Sequence, residues 1–250
     1  MHQYIQDEKD DDFMHNAGLF WVSVLLSSAF SYLIGSISFS ILFTRLFCNK
    51  VDIRTLGSGN AGLTNVLRSV GWKAGIFTFV FDFLKGAISV LAGRAVFLYY
   101  CQQTGAPAYF QQYGALIAGL MCVIGHVYPL YFHFKGGKGI LSSAAVIVFY
   151  DWRMFAVVFI VFAFVFAFSK IVSLSSVIAA FSFPFLHCLI LSFWNYRLGR
   201  FAYGTPPISY LWITTALATG FSALLIYKHK SNIQRLKNKT EKKFTLKRQT

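Results

Sequence analysis

The chain alternates between long apolar runs and short polar connectors. A helix of about 20 apolar residues crosses the roughly 30 Å hydrocarbon layer of a bilayer, and most of these runs reach that length. The fourth run has only about a dozen residues, so we expect it to cross as a short or tilted helix. The pattern predicts an all-α polytopic membrane protein with about seven transmembrane helices. The runs cover residues 18–47, 74–100, 113–134, 139–150, 154–169, 171–193 and 208–227.

The composition supports this prediction and excludes several other classes of protein. Apolar side chains make up 56% of the 250 residues and charged side chains only 13%, whereas average proteins carry about 25% charged residues. Such a chain is neither disordered nor fibrous, and it leaves no room for a separate soluble domain. The net charge of +14 would suggest a nucleic-acid partner for a soluble protein, but so apolar a chain lacks the solvated basic surface needed, and no nucleic-acid partner is expected.

The charges are distributed unevenly along the chain. Five of the nine acidic residues fall within the first twelve positions, and nine of the 23 basic residues follow Tyr227. If successive runs cross in alternate directions, seventeen basic residues lie on the side of the C-terminus and four on the other. Basic residues favour the cytosolic side, so we predict the N-terminus outside and the C-terminus in the cytosol. We expect an acidic N-terminal extension over residues 1–17, a transmembrane domain over 18–228 and a basic cytosolic tail over 229–250.

A glycine-rich segment after the first run, residues 52–68, is the first candidate for chemistry. Glycines let backbone N–H groups approach an anion closely, and a helix that begins there adds its positive N-terminal end. Arg68 can bind an oxyanion through two N–H groups. These features indicate a phosphate cradle, with an ordinary polar loop as the alternative. The glycines are Gly57, Gly59 and Gly62, and the neutral donors are Ser58, Asn60, Thr64 and Asn65.

The second candidate, residues 125–139, ends in Gly136-Gly137-Lys138-Gly139. It lacks the leading glycine and spacer of a nucleotide phosphate loop, and no Ser or Thr follows Lys138 directly, so we do not expect nucleotide hydrolysis. A phosphate pocket built from backbone N–H groups and Lys135 or Lys138 fits the segment, with a flexible turn as the alternative. His126, on the preceding span, is either a site residue or a structural polar residue.

The third candidate lies just after the last run. His229, Asn232 and Arg235 are spaced by three and therefore share one face of a helix. That face can contact a second anionic ligand, and the alternative is a basic helix lying on anionic lipid headgroups.

Charged and hydroxyl side chains also occur within the apolar runs. Asp82 and Lys85 are three residues apart and can pair, and each unpaired charge at mid-membrane would cost roughly 2.5–3.5 kcal/mol. They indicate either a functional site near the cytosolic surface or a structural ion pair. In the first run, Ser36 supplies a hydroxyl group and Arg45 a cation.

Together these segments resemble one family, the bacterial integral-membrane acyl-phosphate:glycerol-3-phosphate acyltransferases. Residues 57–68, 125–139 and 229–241 are similar, in order and spacing, to the three motifs of that family. The shorter stretches 35–37 and 82–86 match it as well. Departures from the family pattern are mostly exchanges between small or apolar residues and remove no ligand.

The resemblance implies transfer of a fatty acyl group from acyl phosphate to the 1-hydroxyl of glycerol 3-phosphate, which gives lysophosphatidate and phosphate in phospholipid synthesis. It implies these two substrates and the lipid bilayer as partners, and a bacterial inner-membrane protein with a cytosolic active site. We expect no metal or organic cofactor, because acidic ligands are too few. The expected catalytic residues are Ser36, Arg45, Ser58, Asn60, Thr64, Asn65, Arg68, Lys138, His229 and Asn232. The expected substrate-binding residues are Gly57, Gly59, Gly62, Lys85, His126, Lys135, Gly136, Gly137, Gly139 and Arg235.

The residues suggest a mechanism of positioning and charge stabilisation. None of His126, His133, His187 and His229 is followed five positions later by Asp, so the dyad of the soluble-headed glycerolipid acyltransferases is not visible among them. Two phosphate sites would instead hold donor and acceptor in line, and cations would stabilise the charge that develops. The rival hypothesis is a small transporter of an organic phosphate or other anion. A third hypothesis is a non-catalytic membrane scaffold, and the three motifs rich in hydrogen-bond donors disfavour it most.

Overall fold

The computed structural model describes residues 2–244, with side chains from residue 16 onward. Within this range the chain is helical or irregular and forms no strand, which confirms the predicted all-α fold. The acidic side chains within residues 7–12, and Lys247 and Arg248 of the tail, lie outside the described residues. The helices are α1 (His2–Gly35), α2 (Phe39–Phe47), α3 (Leu63–Ser69), α4 (Trp72–Thr104), α5 (Phe110–Val127), α6 (Ile140–Tyr150), α7 (Trp152–Ser169), α8 (Val172–Ile190), α9 (Ile208–Lys228) and α10 (Lys230–Lys237).

Six stretches of the described chain are long and apolar enough to cross a membrane. The fourth predicted run corresponds to α6, which has only 11 residues, so the predicted total of about seven crossings stays a prediction. The six stretches are Asn16–Phe47, Trp72–Thr104, Phe110–Phe132, Trp152–Ser169, Val172–Arg197 and Ile208–Lys228.

The connectors gather at two opposite ends of the helix bundle. We call the end with connectors 48–71, 128–139 and 229–244 the motif end, and the end with connectors 105–109 and 198–207 the far end. The short helix α6 runs from the motif end toward the far end. It begins beside Leu225 of α9 near the motif end, and its last residue, Tyr150, accepts a hydrogen bond from Arg94 of α4 toward the far end.

The first predicted span, residues 18–47, lies within the stretch Asn16–Phe47, but the helix in this stretch is interrupted. Helix α1 ends at Gly35 and α2 begins at Phe39, after Ser38 in an extended conformation. Glycine and serine are weak helix formers, so the sequence Gly35-Ser36-Ile37-Ser38 breaks at low cost. The break leaves the carbonyl groups of Gly35 and Ile37 without helical partners, and the ammonium group of Lys85 donates to both, at 3.1 and 2.9 Å.

The surface and the interior have the polarity of a membrane protein. Large apolar side chains face outward, as Phe168 does with 78% of its surface exposed. Exposed apolar surface on this scale is unfavourable in water and suits lipid. Helix α4 packs against α1, α5 and α6, and the interior contains many hydroxyl groups that bond back to their own helix, as Ser89 does to the Lys85 carbonyl at 2.8 Å.

Candidate functional site

The three predicted segments meet at the motif end, which confirms that they converge. The Arg54 guanidinium group, in the first segment, donates to the carbonyl oxygens of Phe132 and Lys135 in the second, at 3.0 and 3.3 Å. The Lys138 ammonium group donates to the amide oxygen of Asn232 in the third segment. Loops distant in sequence therefore form one surface at the end of the bundle.

The buried side chain of Asn65 holds the loop of the first segment together through hydrogen bonds to its backbone. Its side-chain N–H groups donate to the carbonyls of Ile53, Leu56 and Asn60, at 3.2, 2.9 and 3.1 Å. Its amide oxygen accepts from the backbone N–H of Ser58 at 3.0 Å. These contacts use the whole polar group of a buried side chain, so Asn65 shapes the loop.

Gly57 has to be glycine for this loop to close. Its φ of +56° lies in the left-handed region, where other residues are strained. A Cβ atom there would also lie 2.3 Å from the Asn65 amide oxygen. The loop keeps Ser58 and Gly59 exposed above Asn65, as a cradle for an anion requires.

A carboxylate that was not among the predicted site residues anchors the same loop. Asp52 accepts from the backbone and guanidinium N–H groups of Arg54 at 2.8–3.0 Å, and from Arg45 at 3.2 Å. Partial burial opposes ionisation of Asp52, but these hydrogen bonds outweigh it and lower its pKa. The spacing Asp52-x-Arg54 before a turn was the available signal in the sequence. The salt bridge fixes Arg45, one of the predicted catalytic residues, at the edge of the site.

The second segment folds back into the bundle. A Cβ atom on Gly137 would lie 2.3 Å from both the Ala61 carbonyl oxygen and the His126 ring, so only glycine permits this approach between the first two segments. The N–H groups of Gly136 and Gly137 donate to the carbonyls of Val127 and His126, at 3.3 and 3.2 Å.

This geometry corrects one expectation about the anion donors. We expected backbone N–H groups from Gly136 to Gly139 to bind a phosphoryl group, but those of Gly136 and Gly137 are used internally. Helix α6 begins immediately afterwards, with Gly139 as its N-cap, and the first N–H groups of a helix have no partner within it. The backbone N–H groups that remain available to an anion are therefore those at the start of α6, beside Lys138.

Lys138 is the cation at the centre of the site. Burial, and then the positive charge of Arg235, lower the pKa of Lys138 to about 8. Lys138 is therefore mostly protonated at neutral pH and loses its charge in mildly alkaline solution.

Glu241 ties the third segment together, although it was not among the predicted site residues. Its carboxylate accepts from the Asn232 amide, the Arg235 guanidinium and the Ser173 hydroxyl, each at 2.6 Å. Burial opposes ionisation, but the hydrogen bonds lower the pKa of Glu241. Asn232 is thus held between Lys138 and Glu241, and Arg235 beside them, as the predicted shared helical face requires.

His229 has a defined tautomer in this arrangement. Its Nδ1 atom lies 2.8 Å from the Leu225 carbonyl oxygen, which can only accept, so Nδ1 carries the hydrogen and Nε2 is unprotonated. Burial lowers the pKa of His229 to about 4, and the neighbouring charge of Lys138 adds to this effect. The imidazole is therefore neutral at physiological pH and only a weak base.

The predicted pair of Asp82 and Lys85 forms, at 2.8 Å. Lys85 also lies 2.9 Å from His126 Nδ1 and bonds to the carbonyls at the α1–α2 break. Only 1% of its side chain is exposed. In this arrangement Lys85 and His126 support the interrupted helix beneath the site, and direct contact of either residue with substrate stays a prediction.

The remaining predicted residues differ in their access to the opening. Ser36 is fully buried at the helix break, and its hydroxyl has no partner among the described residues. Lys135 is exposed, and Thr64 is half-buried on α3. Arg68, on the same helix, donates to the Lys243 carbonyl at 3.4 Å. No cluster of His, Cys, Asp or Glu within the described range could hold a metal ion.

Comparison with known proteins identifies the family. The family model described as glycerol-3-phosphate acyltransferase matches residues 25–239. A glycerol-3-phosphate acyltransferase of Syntrophomonas wolfei is 36% identical over 86% of this chain and 93% of its own length. One of Listeria monocytogenes is 35% identical over 89% and 97%.

Solved structures agree with the sequence comparison. The crystal structure of PlsY (YgiH), an integral membrane glycerol 3-phosphate acyltransferase, in its glycerol 3-phosphate form is 33% identical to this chain. It superimposes with a TM-score of 0.68 over 89% of this chain and 96% of PlsY. The lysophosphatidic acid form gives a TM-score of 0.66. The chain therefore belongs to the family of integral membrane glycerol-3-phosphate acyltransferases.

Proposed function

We propose that this protein transfers a fatty acyl group from acyl phosphate to the 1-hydroxyl of glycerol 3-phosphate, forming lysophosphatidate and inorganic phosphate. The observation that carries the proposal is the junction of Lys138, the start of α6 and the Asn232–Arg235–Glu241 group. It combines a cation, free helix N–H groups and a fixed guanidinium at a surface bordered by lipid-facing helices. Two phosphorylated molecules, one with a fatty chain, suit such a surface.

The chemistry of the site favours a donor that is already activated. The neutral His229 is a weak base, because its pKa is about 4. The carboxylates of Asp52 and Glu241 are occupied by salt bridges to arginine. A site without a strong general base needs a donor with a good leaving group, and acyl phosphate, a mixed anhydride, has one.

The reaction then follows from positioning and charge. The glycerol 3-phosphate hydroxyl attacks the acyl carbonyl carbon, a new ester C–O bond forms, and the bond between the carbonyl carbon and the phosphate oxygen breaks. The hydroxyl proton passes to the departing phosphate, so that atoms and charges balance. Lys138 and the N–H groups at the start of α6 stabilise negative charge on the phosphoryl group as it leaves, and the first segment with Arg68 holds the other anion.

We place the motif end in the cytosol of a bacterial cell, at the inner membrane. The excess of basic residues on the connectors of this end supports that orientation. Both proposed substrates carry ionised phosphate groups that do not cross lipid unaided, and a cytosolic opening would meet them where metabolism makes them.

Reconstituted protein tests the donor directly. Vesicles containing the purified protein would be supplied with labelled glycerol 3-phosphate and either acyl phosphate or an acyl thioester. We expect label in a lipid-soluble product with acyl phosphate only. Equal product from the thioester would refute the proposed donor while leaving acyl transfer intact. Labelled glycerol 3-phosphate trapped unchanged inside the vesicles, with no product, would favour the transporter hypothesis.

A variant of Lys138 ties the activity to the site. Lys138→Met keeps the length of the side chain but removes its charge, and turnover should fall at least about tenfold, equivalent to about 1.4 kcal/mol of barrier. Lys170→Met is a matched control, because Lys170 also lies at the motif end but follows α7 and contacts the Phe166 ring. Wild-type turnover in Lys138→Met would refute the assignment of the site.

A further inference from the structure

A second polar site lies at the far end of the bundle, away from all three motifs. A cavity of about 550 Å³ opens between the end of α6, the start of α5 and the connector between α8 and α9. We call it the far-end cavity. Its walls include three arginines and a group of tyrosines, namely Arg94, Arg153, Arg200, Tyr109, Tyr203 and Tyr210.

The far-end cavity has more positive than negative charge. Arg153 is paired with Asp151, through N–H groups at 2.9 and 2.6 Å from the carboxylate oxygens. Asp151 is the one acidic residue in the wall. Arg94 and Arg200 have no carboxylate within 4.0 Å among the side chains that the structure describes. Two guanidinium groups are therefore left without a counter-charge.

Arg94 is held in place but incompletely satisfied. It donates to the Tyr150 carbonyl at 2.8 Å and to the Gln112 side chain at 3.3 Å, and it lies 5.8 Å from the centre of the Tyr203 ring. Its Nε–H group is buried and has no partner among the described residues. A buried, unpaired donor on a charged group is costly, and the described side chains leave this hydrogen-bonding capacity of Arg94 unused beside the cavity.

Arg200 belongs to a different part of the wall, the connector between α8 and α9. Its guanidinium carbon lies 5.4 Å from the centre of the Trp194 ring, and that of Arg153 lies 5.9 Å from the same ring. Two like charges on one indole ring repel each other, and a bound anion would offset that repulsion.

The size and the walls of the cavity indicate which anion fits. The volume exceeds that of a single phosphate ion, and aromatic rings line the space between the charges. Tyrosine and tryptophan favour the headgroup layer of a bilayer, and arginine binds phosphate through two parallel N–H groups. Trp152, another wall residue, exposes 69% of its surface toward the surroundings, as expected of a site that borders lipid.

We propose that the far-end cavity binds the phosphate-bearing headgroup of an anionic phospholipid, with Arg94 and Arg200 as its ligands. The site is distinct from the acyl-transfer site, because the cavity wall includes no residue of the three motif segments 52–68, 125–139 and 229–241. The proposal does not depend on the reaction proposed above. It assigns a lipid-binding role to the connector between α8 and α9, in a stretch of the chain that carries none of the family motifs.

Native mass spectrometry of the purified protein in detergent tests the proposal. Phosphatidylglycerol and phosphatidylcholine would be titrated separately, and we expect retained phosphatidylglycerol on the wild type and weaker retention of phosphatidylcholine. Arg200→Gln, in an exposed part of the connector, should weaken phosphatidylglycerol binding about tenfold, as expected for losing a charge-assisted contact. The double variant Arg94→Gln with Arg200→Gln should weaken it further.

Arg197→Gln is the matched control, since Arg197 belongs to the same region but is not part of the cavity wall. Circular dichroism would verify that each variant keeps its helices, and Arg200→Gln alone decides the question if substitution of Arg94 disturbs folding. Equal binding by Arg200→Gln and Arg197→Gln would overturn the proposal. Complete displacement of the lipid by millimolar inorganic phosphate would also overturn it, because the occupant would then be a free anion.

Discussion

Among single residues, Lys138 owes its chemical character to its neighbours. An exposed lysine titrates near pH 10.4, but burial and the charge of Arg235 lower the pKa of Lys138 to about 8. Its ammonium group is cationic below that pH and neutral above it, and only the cation attracts a phosphoryl oxygen.

The pH dependence of turnover follows from this shift. We expect kcat/KM for glycerol 3-phosphate to fall as pH rises through about 8, because Lys138 loses its proton there. His229, with a pKa of about 4, stays neutral from pH 6 to 9 and adds no step to the profile. In Lys138→Arg the guanidinium does not titrate, so the decline near pH 8 should disappear. A decline that persists unchanged in that variant would assign it to another group.

A second prediction concerns the buried pair of Asp82 and Lys85. Lys85→Met would leave the Asp82 carboxylate charged and unpaired in the interior, and breaking a buried pair in this way costs about 3–5 kcal/mol. The double variant Asp82→Asn with Lys85→Met removes both charges and should lose less stability than the single variant. Thermal unfolding in detergent measures the difference. If the single variant is as stable as wild type, the pair does not hold the helix break.

At the scale of elements, the conformation of the loop in the first segment depends on the side chain of Asn65. Asn65→Ala would remove the hydrogen bonds to three carbonyls and to the Ser58 N–H, and the loop that contains Gly57 would lose its shape. We expect turnover to fall at least about tenfold. Ser69→Ala is the control, since Ser69 makes one longer contact to Asn65, at 3.4 Å. Similar losses in both variants would contradict the role given to Asn65.

In the third segment, the positions of the Asn232 and Arg235 side chains depend on Glu241. Glu241→Ala would release the side chains of Asn232 and Arg235 from their fixed positions. We expect KM for glycerol 3-phosphate to rise about tenfold, the effect of losing one charge-assisted network contact, with kcat reduced less. Ser173→Ala removes one of the three partners and should have a smaller effect. Steady-state kinetics over a range of acceptor concentrations separates the two parameters. An unchanged KM in Glu241→Ala would show that the tail does not shape the acceptor site.

For the whole molecule, the long apolar helices could be predicted from the sequence, and the break between α1 and α2 could not. Apolar length alone predicts the long helices, because backbone groups in lipid must bond within their own segment. The break after Gly35 was missed because its carbonyls are satisfied by Lys85, a residue about fifty positions away. Hydropathy along the chain carries no information on such a partner.

Site residues were predicted where their own chemistry and spacing marked them, and some were missed where their role depends on contacts made in the folded protein. Glycines and cations in the three segments stood out through their chemistry and spacing. Asp52 was overlooked as a site residue although its close spacing to Arg54 was visible in the sequence. The contact of Glu241 with Ser173, in contrast, joins residues that become neighbours only after folding. The internal use of the Gly136 and Gly137 N–H groups likewise depends on the path of the folded loop.

The contact between Glu241 and Ser173 also has a consequence for biosynthesis. Synthesis proceeds from the N-terminus, and Glu241 is translated after every helix from α1 to α10. The residue that joins the third segment to α8 is therefore added after all of these helices have been synthesised. We expect a released chain that is truncated before Glu241 to insert its helices into the bilayer and yet to lack an ordered third segment, because Asn232 and Arg235 would lose their shared partner.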